Sequence, residues 1–165
     1  MKKICSTTMI AVFLLLFSNE ISAQTIQSKL NQMVLMKQLL GTWQSTTDEG
    51  TVQILETKLF GEAVIITLTD EIKGEKSPVF MELSGFDDRD GKIKGFLVFP
   101  NGKYVTWIGQ FITEKTIRGN VVDNFNPEVI LWIHEYVILN PEEIMSIGYD
   151  SKGIKTDESK FSKIE

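Results

Sequence analysis

The residues with the clearest chemical potential lie on one predicted strand, Val129–Leu139, whose sequence is VILWIHEYVIL. Because side chains alternate between the two faces of a strand, Trp132, His134 and Tyr136 share one face. Aromatic rings with polar tips on one strand face are typical of a ligand site inside a barrel. A lone histidine in a strand is also common as a hydrogen-bonded core residue or a solvent-facing one. Alternation alone does not decide which face points inward.

Two further side chains are candidates for ligand contact. Trp107 shares its strand face with Gly109, and a glycine two residues from a tryptophan leaves room for a ligand or for a neighbouring ring. Arg118 lies on a short predicted strand, where it would hold a carboxylate inside a barrel or carry a solvated surface charge. The predicted ligand-binding residues are therefore Trp107, Arg118, Trp132, His134 and Tyr136.

Motifs of common enzymes and metal sites are mostly absent. The sequence contains no G-x-S-x-G nucleophile elbow and no P-loop. It has one histidine, His134, and one cysteine, Cys5, whereas a zinc site takes three or four ligands that usually include several of these residues. We therefore predict no metal site. An enzyme on this scaffold would rely on His134 as a general acid or base.

The composition limits the class of protein. The chain has 165 residues, of which 42% are hydrophobic and 24% charged, as in a globular domain. Its formal charge of -5 excludes a nucleic-acid binder of the usual kind, because phosphate backbones require a basic surface. A single cysteine excludes a disulfide scaffold.

The first 23 residues are predicted to be a secretory signal. Lys2 and Lys3 precede an apolar run, Met9–Phe17, and Ala23 provides a small residue for cleavage. The run is shorter than the roughly 20 residues that a transmembrane helix needs. We therefore expect an exported protein, periplasmic or secreted, that is cleaved near Ala23 and has no transmembrane span in its mature chain. Residues 24–165 would then form a single domain.

The rest of the chain predicts one helix followed by strands. Thr25–Leu40 has helical spacing and ends at Gly41, after which the hydrophobic period changes from 3.6 to 2. Asp90-Gly91 and Asn101-Gly102 are typical of tight hairpin turns. The sequence therefore predicts an all-β, antiparallel up-and-down barrel of about 8–10 strands, with the N-terminal helix closing one end. The predicted strands are Thr42–Thr46, Thr51–Lys58, Glu62–Asp70, Val79–Phe86, Lys92–Phe99, Tyr104–Ile112, Thr116–Asp123, Val129–Leu139, Glu143–Asp150 and Ile154–Lys163.

Several short motifs along the predicted barrel resemble one superfamily. A helix leads into G-x-W at Gly41-Thr42-Trp43, and the later motifs are Gly85-Phe86-Asp87, Gly91-Lys92, Gly102-Lys103-Tyr104 and Trp107. Together they resemble the calycins, which include lipocalins and fatty-acid-binding proteins. The likeness is closest to secreted bacterial lipocalin-like domains of unassigned function. It extends from about Lys37 to Glu165.

The resemblance implies structural roles for Gly41 and Trp43. In calycins the G-x-W tryptophan packs across the closed end of the barrel against a basic residue near the last strand. In this chain that basic residue falls on Lys160 or Lys163. The family more often has arginine there.

The resemblance and the strand pattern together lead us to expect a binding protein for one small hydrophobic or amphipathic molecule held inside the barrel. Three alternatives stay open. The first is an enzyme that uses His134, and the second is a haem-binding barrel with His134 as axial ligand. The third is an interaction module without a ligand. Apart from the haem alternative we expect no cofactor, and we expect no nucleic-acid partner.

Overall fold

A computed structural model describes residues 30–165. The predicted signal segment, its cleavage site and the first residues of the predicted helix lie outside the described residues. Asn31–Glu165 form one compact unit. None of the helices between residues 30 and 165 has the length and apolar character needed to cross a membrane.

Ten antiparallel strands form a closed up-and-down barrel, as the sequence predicts. Each strand pairs with its neighbours in the chain, and the first strand pairs with the last. The turns at Gly91 and Gly102 have the positive φ that their sequences predict, at 72° and 78°. The strands are β1 Gly41–Thr46, β2 Val52–Phe60, β3 Ala63–Ile72, β4 Glu75–Asp87, β5 Lys92–Val98, β6 Tyr104–Phe111, β7 Thr116–Asp123, β8 Asn126–Asn140, β9 Glu143–Asp150 and β10 Lys155–Lys163.

Within the described residues, the helical segment before the barrel is short. It consists of one helix, α1 (Gln32–Met36), and a 3₁₀ turn, Lys37–Leu39. Asn31 has an extended backbone and caps α1, since its side chain accepts a hydrogen bond of 3.1 Å from the backbone N–H of Val34. The prediction of one uninterrupted helix over Thr25–Leu40 is therefore wrong for its described part, because the cap at Asn31 and the 3₁₀ turn interrupt it.

The helix closes one end of the barrel. The side chain of Gln32 donates to the carbonyl oxygen of Phe111 at 3.3 Å and accepts from the N–H of the same residue at 2.6 Å, which fixes α1 against β6. Met36 and Leu39 are buried, at 2% and 3% exposure. Their burial against the barrel interior supplies the hydrophobic contribution that holds the segment in place.

Trp43 is the centre of the closed end. It is fully buried, and its indole N–H donates to the carbonyl oxygen of Leu39 at 2.9 Å. The ammonium of Lys163 lies 5.1 Å from the centroid of its ring, within the range of a cation–π contact. Lys160 instead forms an ion pair with Glu143. The basic partner that the resemblance implies is thus Lys163.

Gly41 is required by both its conformation and its surroundings. Its φ of 127° is one that side-chain-bearing residues rarely adopt. A Cβ at this position would lie 2.5 Å from the backbone oxygen of Glu165 and 2.6 Å from Cε of Lys163. A side chain here would therefore displace the lysine that covers Trp43.

Strand β4 reverses the usual alternation of a barrel strand. Glu82 and Ser84 are buried inside, with 9% and 1% exposure, whereas Met81 and Leu83 are 48% and 43% exposed on the outer face. Barrel strands normally turn their apolar residues inward on a packed interior. The reversal places a carboxyl and a hydroxyl inside the barrel. It leaves an apolar strip outside, which continues to Phe96 on β5.

Candidate functional site

The inner face of β8 carries the three side chains that the sequence places together. His134 pairs with Gly119 of β7 and Gly148 of β9, so it shares its face with the buried Ile138. Trp132, His134 and Tyr136 therefore point into the barrel. All three stay half-buried, in contrast to the fully buried residues at the closed end. The interior thus changes from a packed end to an accessible one along the barrel axis.

We call this accessible part of the interior the cup and define it by its inward side chains that carry chemistry. Two of them, Glu82 on β4 and Asp157 on β10, are not among the ligand-binding residues predicted from the sequence. Asp157 pairs with Gly148, and its carboxylate lies over that glycine, where a Cβ would meet it. The cup residues are Glu82, Trp107, Trp132, His134, Tyr136 and Asp157.

His134 is a neutral hydrogen-bonding group in the cup. Its Nε2 is 2.8 Å from the hydroxyl oxygen of Ser146, on the neighbouring strand β9. Its ring meets that of Tyr136 edge-on, with centroids 4.5 Å apart. Burial lowers the pKa of His134 from 6.5 to about 4, and the nearby charge of Asp157 opposes this only in part. The imidazole is therefore uncharged near neutral pH.

Glu82 is the most perturbed acid inside the barrel. Burial raises its pKa from 4.5 to about 7, and the hydrogen bond that Ser84 donates to it offsets part of that increase. The absence of a side chain at Gly95 leaves it room, since a Cβ there would lie 3.2 Å from Oε1 of Glu82. Burial and the charge of Glu82 both raise the pKa of Tyr136. Near neutral pH, Glu82 is thus divided between its acid and carboxylate forms.

Trp107 lies across two glycines inside the barrel. A Cβ on Gly109 would lie 2.7 Å from Cη2 of the indole, and one on Gly119 would lie 2.6 Å from Cζ2. The two residues pair with each other across β6 and β7, so together they form a flat floor for the ring. Of the two interpretations of Gly109, room for a ring or for a ligand, the structure supports the ring.

The indole leaves little free volume in the deepest part of the cup. The space measures about 20 Å³, which is enough for roughly one water molecule. Its lining combines the base of the cup with buried apolar residues from α1, the 3₁₀ turn, β3 and β7. The lining residues are Met36, Leu39, Ile66, Glu82, Trp107, Ile117, His134 and Tyr136.

Arg118 lies outside the cup. It forms an ion pair of 3.2 Å with Glu135, and its guanidinium lies 4.8 Å from the ring centroid of Tyr149. It borders an outer groove of about 230 Å³ that also includes Gln110 and Asn120. Arg118 is therefore a surface charge and does not hold a carboxylate inside the barrel. The structure does not bring it together with the other four predicted residues.

A second depression, of about 340 Å³, lies near the β3–β4–β5 side of the barrel. Its lining includes Phe80, Met81, Val98, Phe99 and Pro100, and none of its lining residues carries an ionisable side chain. It offers apolar contact without the acid, imidazole and phenol groups of the cup. The cup is for this reason the candidate site.

Metal and haem sites find no support in the part of the chain that the structure describes. No group of three or more His, Cys, Asp or Glu residues between positions 30 and 165 could hold a metal ion. The Nε2 of His134, an atom that would have to bind the iron of a haem, is engaged by the hydroxyl of Ser146 at 2.8 Å.

The cup is therefore a half-open space with neutral imidazole and phenol groups, a carboxyl that titrates near neutrality and aromatic walls. Comparison with known proteins does not assign a family: no family model matches the chain, and no curated protein matches it.

Proposed function

We propose that the protein is a calycin-like barrel that binds one small amphipathic molecule in the cup. A single observation carries the proposal. The face formed by Trp132, His134 and Tyr136 is turned inward, yet it keeps solvent access. In a barrel that served only as a packed scaffold, an inward face of this size would be filled by apolar side chains.

The polar groups of the cup support the same function. A polar group placed in a barrel interior gives up its hydrogen bonds to water, a cost that an apolar residue of similar size does not have. Glu82, Ser84, His134 and Ser146 are all inward, and each could be replaced by an apolar residue in a purely structural core. Such costs are typical of sites in which a few polar groups orient a ligand.

The position of Trp107 sets the orientation of the ligand. Only a group about the size of one water molecule fits beside the indole in its observed position. The larger part of the ligand must then lie towards Trp132. We therefore expect a small polar head at the base of the cup and an apolar part above it.

The three tryptophans provide a direct test. Trp107 and Trp132 are cup residues, whereas Trp43 is sealed at the closed end. We would titrate the protein with a library of small neutral, cationic and anionic molecules and follow the three indole N–H signals by NMR. A ligand in the cup should shift the signals of Trp107 and Trp132 and leave that of Trp43 unchanged.

Two variants sharpen the test. Trp132→Ala should abolish the response of Trp107 to a hit, whereas Phe96→Ala on the outer face should leave it intact. If no member of the library moves either cup signal, the binding function is refuted and the ligand-free interaction module becomes the better description. Movement of all three signals together would indicate binding elsewhere or unfolding.

Acid–base catalysis is a second candidate, which the pKa of Glu82 favours. A carboxyl that titrates at about 7 can both donate and accept a proton near neutral pH. A catalysed ligand would convert with time in the NMR sample, and Glu82→Gln would still bind it without converting it. A bound ligand that stays unchanged over days would exclude this function for that ligand.

A further inference from the structure

We infer that the head group of the ligand is a primary ammonium, so that the cup is a site for an amphipathic organic cation. The inference rests on the proposed function and adds the chemical class of the ligand. It follows from the charges, the aromatic walls and the size of the space at the base of the cup.

The charged groups of the cup are acidic. Glu82 and Asp157 point inward, and His134 is neutral. Alternation turns two further acids, Asp70 and Asp150, to the same side of the sheet. Among the strands that the structure describes, alternation turns no lysine or arginine into the cup. Arg118 is outside with Glu135, and the inward Lys163 lies at the closed end over Trp43. A carboxylate ligand would find no cationic partner here, whereas an ammonium at the base of the cup would find the carboxyl of Glu82 beside it. The exposed Asp157, whose charge acts on His134, adds a second acid to the same interior.

The walls of the cup also favour a cation. Trp132 and Tyr136 present aromatic rings to the interior, and the faces of such rings attract ammonium groups. The ring of His134 continues the same wall. In a partly desolvated site this attraction is larger than at an exposed surface.

The base of the cup has polar atoms that are available to a ligand. The Tyr136 side chain is half-buried, and its hydroxyl makes no hydrogen bond to another side chain or carbonyl within residues 30–165. Among the described residues no fully buried side-chain oxygen lacks a partner, so this hydroxyl keeps some contact with solvent. Tyr136 also lines the free space at the base of the cup. Ser84 donates to one oxygen of Glu82, and the other oxygen is available to accept. An ammonium donates three hydrogen bonds and therefore matches these acceptors.

The size of the space selects a primary ammonium. About 20 Å³ is free between Glu82, Trp107 and Tyr136. An –NH₃⁺ group is about as large as one water molecule and fits, whereas a trimethylammonium or a carboxylate is larger. The apolar part of the ligand would then lie against Trp132.

Three small molecules of matched shape test the charge preference. Phenylethylammonium, phenylethanol and phenylpropanoate would be titrated at pH 7, with the indole signals of Trp107 and Trp132 as the readout. We expect the cation to bind about tenfold more tightly than the alcohol, and the anion to bind more weakly than both. The trimethylated form of the cation should lose that advantage.

Variants locate the preference in the cup. Glu82→Gln should reduce the affinity for phenylethylammonium about tenfold and leave that for phenylethanol unchanged. Asp157→Asn, at an exposed position, provides a second variant whose folding is not at risk, and it should shift the same preference in the same direction. Glu62→Gln, in the exposed turn between β2 and β3, is the matched control and should change neither affinity.

The outcomes separate this inference from the function on which it rests. If phenylpropanoate or phenylethanol binds as tightly as the cation, the cup binds ligands but the ammonium assignment is overturned. Equal affinity of the trimethylated form overturns the size argument. If none of the probes moves a cup signal, the cation assignment also fails, and the broader library decides whether the cup binds any ligand.

Discussion

Replacing Glu82 by glutamine should stabilise the protein increasingly as the pH rises. Glutamine has the shape of the protonated acid but cannot ionise. In the wild type, burial raises the pKa of Glu82 from 4.5 in an exposed chain to about 7 in the folded one. The folded state therefore holds this proton more tightly than the unfolded state does. The contribution of this proton to the free energy of unfolding is fully present below pH 4.5, and it is lost as the pH rises through 7.

The pKa increase gives the size of the effect. A change from 4.5 to about 7 corresponds to about 3 kcal/mol in the free energy of unfolding, because each pKa unit is worth about 1.4 kcal/mol. The difference between Glu82→Gln and the wild type should thus grow by about 3 kcal/mol between pH 4 and pH 8. Most of that growth should fall between pH 4.5 and 7.

Urea unfolding at four pH values would measure the difference directly. Because both proteins share all other titrating groups, the subtraction isolates Glu82. Glu62→Gln, at an exposed turn, serves as the control and should differ little from the wild type at each pH. A difference that stays constant from pH 4 to pH 8 would show that Glu82 is hydrated and ionised in the fold. The reasoning about the base of the cup would then be refuted.

Three other substitutions test the packing around the site. Trp43→Ala should lower the free energy of unfolding by about 3–5 kcal/mol, measured by urea unfolding, because a fully buried indole is lost. Gly119→Ala should cost about 1–3 kcal/mol and shift the indole signal of Trp107, because the added methyl meets that ring. Gly85→Ala is its control, since nothing lies within 4 Å of the new methyl, and an equal cost in both variants would contradict the close contact. Arg118→Ala should cost less than about 1 kcal/mol and leave ligand affinity unchanged, so a loss of binding would contradict its place on the outer surface.

The barrel could be predicted from the sequence because its signals are local. Turn residues such as Asp90-Gly91 and Asn101-Gly102 mark where hairpins reverse, and their glycines adopt positive φ in the structure. A period of two between such turns is enough to define a strand. The helix was less predictable, since the side-chain cap from Asn31 interrupts a pattern that remains helical in its hydrophobic spacing.

The site could be predicted only in part. Alternation correctly groups Trp132, His134 and Tyr136, because a strand face depends on the sequence of one strand alone. It does not find Glu82, since Met81 and Leu83 on the same strand are the residues that a simple hydrophobic rule would place inside.

The other site residues depend on contacts between strands. Asp157 lies among polar neighbours and gives no sequence signal of its own. Its role depends on Gly148 of the neighbouring strand, which a single-strand pattern does not contain. Arg118 is likewise placed by its pairing with Glu135 on the next strand.

The closure of the barrel has a consequence for how the chain folds. All strand pairs except one join consecutive strands, so forming each of them has only the small entropic cost of closing a short hairpin loop. The exception joins β1 to β10, and its register consists of Trp43 with Lys163 and Gln44 with Ser162. This seam closes the longest loop of the chain with the shortest ladder, whereas β1 and β2 are joined over six residue pairs. The contact between Trp43 and Lys163 is therefore part of the short pairing that closes the barrel. Loss of β10 would leave β1 and β9 as unpaired edge strands, which can pair with other chains.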